Sequence, residues 1–412
     1  MSESDANGKL PLPMWEFITL IAFAMALTAL SVDIMLPVLP DIVDTFGIVN
    51  QNDQQFMVTV YVMFFAIGQI FCGPISDRFG RRPVLLGGLA IYMAASLLAV
   101  FSESYTMLLV ARAIQGLAAA APRIVAVAVV RDLFVGRGMS QVMSFVMSVF
   151  IMLPIIAPAL GMMVASLGSW RLIFLFLLLF TVGTAVWSGL RLPETNSHMK
   201  EGGSPPVPLG RAARMVLSSG LTVGYMISLG FVFACLMTYI ASTQQVFADI
   251  YNIVDWFPLA FASVAAMMVV ASIVNARLVQ RIGMRRISHT AMLAQAVLSV
   301  LALLLSFAID PLPFPVLMSF LGLSFFFIGL ILPNFNAVAM EPLGQVAGMG
   351  SSIIGFVMTG IGAVLGGISA HFYDGTLHAM LLGFVVYSVM VVILVTVAEK
   401  GRLMQPHAHA AR

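Results

Sequence analysis

The apolar residues of this 412-residue chain gather into twelve runs, each about as long as a helix needs to cross a bilayer. They fall at approximately 15–36, 55–75, 83–101, 106–130, 140–165 and 171–190, and again at 213–241, 253–276, 287–309, 313–339, 345–370 and 377–398. Hydrocarbon offers no partner to a backbone N–H or C=O, so such segments must bond internally and are helical. With 60% hydrophobic and 9% charged residues, against roughly 25% charged in an average soluble domain, the chain is expected to be an all-α membrane protein of 12 transmembrane helices, six and six. The ends least sharply drawn are Gly68–Pro74, Asp249–Asp255 and the Pro311/Pro313/Pro315 cluster, where Pro and Gly interrupt the pattern.

The first 14 residues are polar, with Glu3, Asp5 and Lys9, and the run behind them is too long for a signal-peptide core, so the first helix is expected to stay in the membrane. Orientation follows from Lys and Arg, which concentrate in short cytoplasmic loops. With the N-terminus inside, the cytoplasmic segments hold Arg78, Arg81, Arg82, Arg131, Arg137, Arg191, Lys200, Arg211, Arg214, Arg277, Arg281, Arg285, Arg286, Lys400 and Arg402, and the opposite loops only Arg171. Those opposite loops are acidic, carrying Asp41, Asp44, Asp53, Glu103, Asp249, Asp255, Asp310 and Asp374. Both termini are therefore expected in the cytoplasm of a multi-pass protein of the cell (inner or plasma) membrane. The net charge of +2 is this topological bias, and no basic helix or RNA-reading motif points to a nucleic acid.

Asp33 stands alone in the run from Phe17 to Leu36. A carboxylate inside a span costs about 2.5–3.5 kcal/mol on insertion scales and usually faces a protein interior or a water-filled path. It is the first functional candidate, although the nearby Pro37 and Pro40 also allow it to be a helix-end residue reaching the interface. Cys72 and Cys235 lie within apolar runs and read as packing residues, not as a disulfide or a thiolate metal site. No HExxH, GxSxG, P-loop or DxD-like cluster occurs, and His198, His289, His371, His378, His407 and His409 are scattered, so neither an enzyme nor a metal or other cofactor is expected.

The two sets of six helices read as equivalent halves, 1–191 and 213–412, joined by a cytoplasmic linker over 192–212 that contains Gly-Gly-Ser-Pro-Pro-Val-Pro. The segment Gly73-Pro-Ile-Ser-Asp77-Arg78-Phe-Gly80-Arg81-Arg82 is echoed 203 residues later by Ala276-Arg-Leu-Val-Gln280-Arg281-Ile-Gly283-Met-Arg285, each after the second helix of its half. Duplicated halves around a central cavity are a common plan of secondary transporters. The first copy is similar to the signature between the second and third helices of the major facilitator superfamily. Glycines there permit a tight turn, and Asp77 can accept from a helix N-terminus or an Arg. The resemblance implies a charge-relay latch built on Gly73, Asp77, Arg78, Gly80, Arg81 and Arg82 that closes in one conformation and opens in another.

On the fourth helix, Leu109-Val-Ala-Arg112-Ala-Ile-Gln115-Gly116-Leu-Ala-Ala-Ala-Ala-Pro122-Arg123 resembles the signature of drug:proton antiporters, which implies a proton-coupling role for Arg112 and makes Arg123 a second candidate. The two arginines are eleven residues apart, about three turns and roughly 16 Å, and so lie nearly on one face with Gly116 and Ala119. The first helix runs outward and the fourth inward, which places Asp33 and Arg112 in the same outer half, where they can pair. Nearby positive charge favours the ionised carboxylate and burial the neutral one, the balance a proton carrier requires. On the fifth helix, Pro154-Ile-Ile-Ala157-Pro158-Ala-Leu-Gly161 resembles the antiporter signature, with Pro158 and Gly161 kept and Ala157 and Met162 departing from it. Pro333-Asn334-Phe-Asn336 and the segment from Met340 and Glu341 to Ser352 are similar to the Bcr/CflA group of multidrug exporters.

The resemblance implies export of drugs or amphipathic metabolites in exchange for protons, by alternating access of the two halves to a midplane cavity. The absence of Walker motifs leaves an ion gradient as the energy source, and a lone carboxylate suits a proton better than Na⁺, which wants several oxygen ligands. Met139, Met143 and Met147 at i, i+4 and i+8 suit either ordinary packing or an adaptable apolar surface. Tyr225, Tyr239, Gln244 and Asn334 are candidate cavity residues of the second half. Two arginines against one carboxylate leave open a proton-coupled importer of a small polar or anionic solute. The partners expected are a small molecule, protons and lipid, with a monomer as the default.

Overall fold

The computed structural model describes residues 12–134, 137–196 and 209–405. Glu3, Asp5, Lys9, His198, Lys200, His407, His409 and most of the central linker thus lie outside the described residues. Among those described, the chain is helical without strands, and twelve helices are long and apolar enough to cross a membrane. The chain divides into two compact units, Met1–Pro208 and Leu209–Arg412.

The spanning helices of the first unit are α1 (Met14–Asp33), α2 (Phe56–Phe79), α3 (Arg81–Val100), α4 (Tyr105–Leu133), α5 (Arg137–Ala165) and α6 (Arg171–Arg191). Those of the second are α7 (Gly220–Asp249), α8 (Phe257–Ile282), α9 (Met284–Ala308), α10 (Phe314–Met340), α11 (Ala347–His371) and α12 (His378–Ala398). Inside the first unit the main packing partners are α2–α4, α3–α4, α3–α6, α1–α5, α1–α4 and α1–α6, and the second unit repeats the same set six helices on. Large apolar side chains such as Leu179, Leu190, Leu301 and Leu304 stay exposed, as expected of surfaces in contact with lipid.

Helix ends follow local chemistry. Ser104 Oγ caps α4 by accepting from the Met107 N–H at 3.2 Å, and Ser219 caps α7 through the Thr222 N–H at 3.2 Å. The Ser219 cap explains a difference from the sequence reading, which places the seventh span at 213–241. Residues Leu209–Ser218 form a separate helix, partly within the stretch read as linker, and the span runs Gly220–Asp249. The signature between the second and third helices is likewise more helical than a loop: α2 continues to Phe79, Gly80 alone makes the break, and α3 starts at Arg81. Gly80 and Gly283 have φ of +99° and +86°, a region that favours glycine, so the two echoed segments share a one-residue turn.

Lipid tails give helices little hydrophobic reason to associate, so close packing and small residues hold a membrane bundle together. Gly116 of α4 packs directly on the Tyr61 carbonyl of α2, with no room for a Cβ. The apolar stripe with Gly116 and Ala119 is thus a helix contact.

Candidate functional site

Asp33 is the last residue of α1, where the chain passes through a turn at Leu36–Val38 into the short helix Leu39–Phe46. Despite this terminal position it is 3% exposed, and its Oδ1 has no hydrogen-bond partner. The helix-end reading is right about position, but burial removes the route to the interface.

Arg112 is fully buried. Its Nε donates to the Met57 carbonyl at 3.1 Å, one terminal nitrogen to Gln115 Oε1 at 2.9 Å and the other to the Ser31 carbonyl at 3.1 Å. The guanidinium also lies over the Tyr61 ring, 4.2 Å from its centroid. Gln115 Nε2 donates onward to Ser96 Oγ at 2.9 Å, Ser96 to the Tyr92 carbonyl at 2.9 Å, and the Tyr92 hydroxyl meets Ser31 Oγ at 2.6 Å. The pairing of Asp33 with Arg112 is not formed. The Arg donors are taken by carbonyl groups and an amide, one of them the carbonyl of Ser31, two residues before Asp33 in α1.

Arg123 does not join this network. It is partly buried, with its guanidinium 5.8 Å from the Phe65 ring centroid and 5.2 Å from that of Phe150. Gly161 completes the Asp33 surroundings from α5, because a Cβ there would overlap the carbonyl oxygen of Ile34. Pro158 is buried on the same helix. Gly161→Val should therefore force α5 from α1 at a cost of about 1–3 kcal/mol or more, read as a lower unfolding midpoint in detergent, with Gly161→Ala intermediate.

The echoed turns carry two charge clusters. In the first unit, Arg81 pairs with Asp77 at 2.5 Å and Asp132 at 2.9 Å, and donates to Ser76 Oγ at 2.7 Å. The Glu194 carboxylate accepts from the backbone N–H groups of Arg81 at 2.9 Å and Arg82 at 3.1 Å, capping α3. Gly80 is required here a second time, since a Cβ would stand 2.7 Å from Glu194 Oε2. Arg82 donates to the Gly189 carbonyl, Arg78 is exposed beside the Phe79 ring, and Gly73 offers its carbonyl to Ser76.

In the second unit, Arg285 makes a bidentate pair with Glu341 at 3.1 and 2.7 Å and bonds Glu399 at 2.9 Å. The triads Arg81–Asp132–Glu194 and Arg285–Glu341–Glu399 occupy matching places, with members 204, 209 and 205 residues apart. Sequence reading found the Arg285 echo but not its carboxylates, although the repeat offset near 203 points at them. Arg285→Gln should cost about 3–5 kcal/mol, toward the lower end because Glu341 is about a third exposed. Thermal unfolding checks this, and adding Glu341→Gln and Glu399→Gln should recover part of the loss.

Of the proposed cavity residues, Tyr225 is fully enclosed and its hydroxyl is bonded within the second unit. Its hydroxyl donates to Glu399 Oε1 at 2.7 Å and meets His289 Nε2 at 2.7 Å, while His289 Nδ1 accepts the Met404 N–H at 3.0 Å. These roles require the Nε2–H tautomer of His289. Tyr239 is also fully buried, stacked 5.1 Å from Phe261 and edge-on at 4.6 Å to Phe325. Asn334 donates to Asn275 Oδ1 and the Leu330 carbonyl, both at 2.7 Å. Gln244 is buried with its Oε1 unpaired.

Comparison with known proteins agrees with this architecture. The model of the Major Facilitator Superfamily matches residues 21–367. A bicyclomycin resistance protein homolog of Haemophilus influenzae is 31% identical over 372 residues, covering 89% of this chain and 91% of that protein. Multidrug resistance protein D of Escherichia coli K12 is 31% identical over 176 residues, 43% of this chain and 44% of that one. In structure, the chain resembles a bacterial homolog of the human lysosomal transporter Spinster with a TM-score of 0.67 at 13% identity, covering 94% of this chain and 96% of the other, a likeness of fold alone.

Proposed function

The chain belongs to the Major Facilitator Superfamily, with Bcr/CflA-type relatives that are transporters and not enzymes, and we propose that it exports drugs or amphipathic metabolites in exchange for protons by alternating access. The observation that carries the coupling is Asp33: a buried carboxyl group with an unpartnered oxygen, two residues along α1 from the Ser31 carbonyl that holds the Arg112 guanidinium. An ionised carboxylate in such a place is poorly solvated, and proton uptake removes its charge. Proton entry down the membrane potential supplies about 2.3 kcal/mol per charge per 100 mV. The Arg-rich turns lie on the cytoplasmic side of the inner membrane, as their charge bias suggests, and the Arg81 cluster serves as a latch released and remade during the cycle. The protein acts as a monomer.

Everted vesicles test the reading, because export appears there as uptake. Energised vesicles containing the protein should accumulate ethidium or bicyclomycin, and a proton ionophore should abolish the accumulation. Substrate leaving such vesicles on energisation would instead mark an importer, and movement indifferent to the ionophore would refute proton coupling.

A further inference from the structure

Arg123 is an arginine within a span for which the described residues supply no counter-charge. It lies eight residues before Arg131 on α4, about 12 Å along the axis, and roughly 16 Å from Arg112. Deprotonation cannot relieve its charge. The acidic groups of the first unit lie elsewhere: Asp77, Asp132 and Glu194 gather at Arg81, and Asp33, with its Oδ1 unpartnered, ends α1 two residues after the Ser31 carbonyl bound by Arg112. Arg112 uses its donors on Met57, Gln115 and Ser31, whereas Arg123 makes no hydrogen bond or ion pair among the described residues. Its described neighbours include the rings of Phe65 from α2 and Phe150 from α5, and Tyr61 of α2 lies within electrostatic reach. Those rings interact with the cation but leave its fork of N–H donors without a partner among the described residues.

A planar fork of donors between aromatic walls matches a carboxylate attached to an aromatic ring. The fork binds both oxygens, and the ring packs against the phenylalanines. We infer that Arg123 anchors the carboxylate of aromatic monoanions and that such anions are among the transported substrates. This rests on the export reading above and narrows it to a substrate class. It also has an electrical consequence. A proton moving in and a monoanion moving out both carry charge in the same sense, so this export should respond to membrane potential more steeply than export of a neutral compound.

The test uses full-length protein in proteoliposomes with an imposed proton gradient and three probes, nalidixate, salicylate and 1-naphthoate, each beside its neutral methyl ester. Wild type should transport at least one carboxylate. R123Q should raise the KM of that carboxylate at least tenfold while changing ethidium or bicyclomycin transport less than twofold, and R123K should fall between. Should R123Q fail to insert, R123K alone must still weaken the carboxylate without weakening its ester or the reference drugs. Transport of none of the three carboxylates, an R123Q protein indistinguishable from wild type, or an equal loss for carboxylate and neutral compounds would overturn the assignment. The two readings fail separately: ionophore-sensitive ethidium or bicyclomycin export without carboxylate export removes only the Arg123 role, whereas ionophore-insensitive movement of every compound removes proton-driven export itself.

Discussion

Asp33→Asn should abolish uphill export while leaving the protein able to exchange substrate across the membrane. Asn keeps the shape of the side chain at the end of α1 but cannot gain or lose a proton, so the step that ties substrate movement to the gradient disappears. Gradient-driven accumulation in everted vesicles should fall by tenfold or more, roughly the effect of withdrawing 1.4 kcal/mol of driving force, and should no longer respond to the ionophore. Counterflow of labelled against unlabelled substrate, which needs no proton, should continue. Because the position is 3% exposed and its Oδ1 accepts no hydrogen bond, the amide should fit with little structural cost. Retained uphill export in this variant would place the coupling group elsewhere.

Arg112→Ala should have the largest effect on stability. It strips donors from the Ser31 and Met57 carbonyls and from Gln115 Oε1, all deep in the first unit. Each buried acceptor left unsatisfied costs about 1–3 kcal/mol, partly offset because a buried charge is also removed. A net loss of several kcal/mol is expected, seen as a marked fall in the unfolding midpoint in detergent. Arg112→Lys should recover only part of it, since an ammonium cannot span carbonyls on α1 and α2 and the Gln of its own helix in the geometry of a guanidinium fork. An unchanged midpoint for Arg112→Ala would mean that the hydrogen-bonded cage around Arg112 contributes nothing to the fold.

The number of spans and the echoed basic turns were legible because lipid forces a long apolar helix and topology forces Arg to one side. The helix ends were less so: a single serine hydroxyl at Ser219 starts α7 seven residues beyond the expected position. Asp33 and Arg112 could be singled out as buried charges, but not the partners of Arg112, because two of them are backbone carbonyls and every residue has one. Glu341 and Glu399 lie near the repeat offset, 209 and 205 residues after Asp132 and Glu194, but outside the echoed segment, so nothing in that segment marked them as partners of Arg285. Tyr225 reads as a cavity candidate because an aromatic hydroxyl in a span suits a ligand as well as it suits a buried Glu. Gly161 survived in a weakened motif, and only tertiary packing explains it, through its contact with the carbonyl of Ile34.

Proton counting during transport tests the coupling most directly. Purified protein in proteoliposomes holding a trapped pH-sensitive dye would be given ethidium or bicyclomycin on one side, with no initial pH gradient. If the carboxyl group of Asp33 carries the proton, substrate moving one way will drive protons the other way, and the signal will vanish in Asp33→Asn. Substrate movement with no proton movement, or protons travelling with the substrate, would contradict antiport through this site.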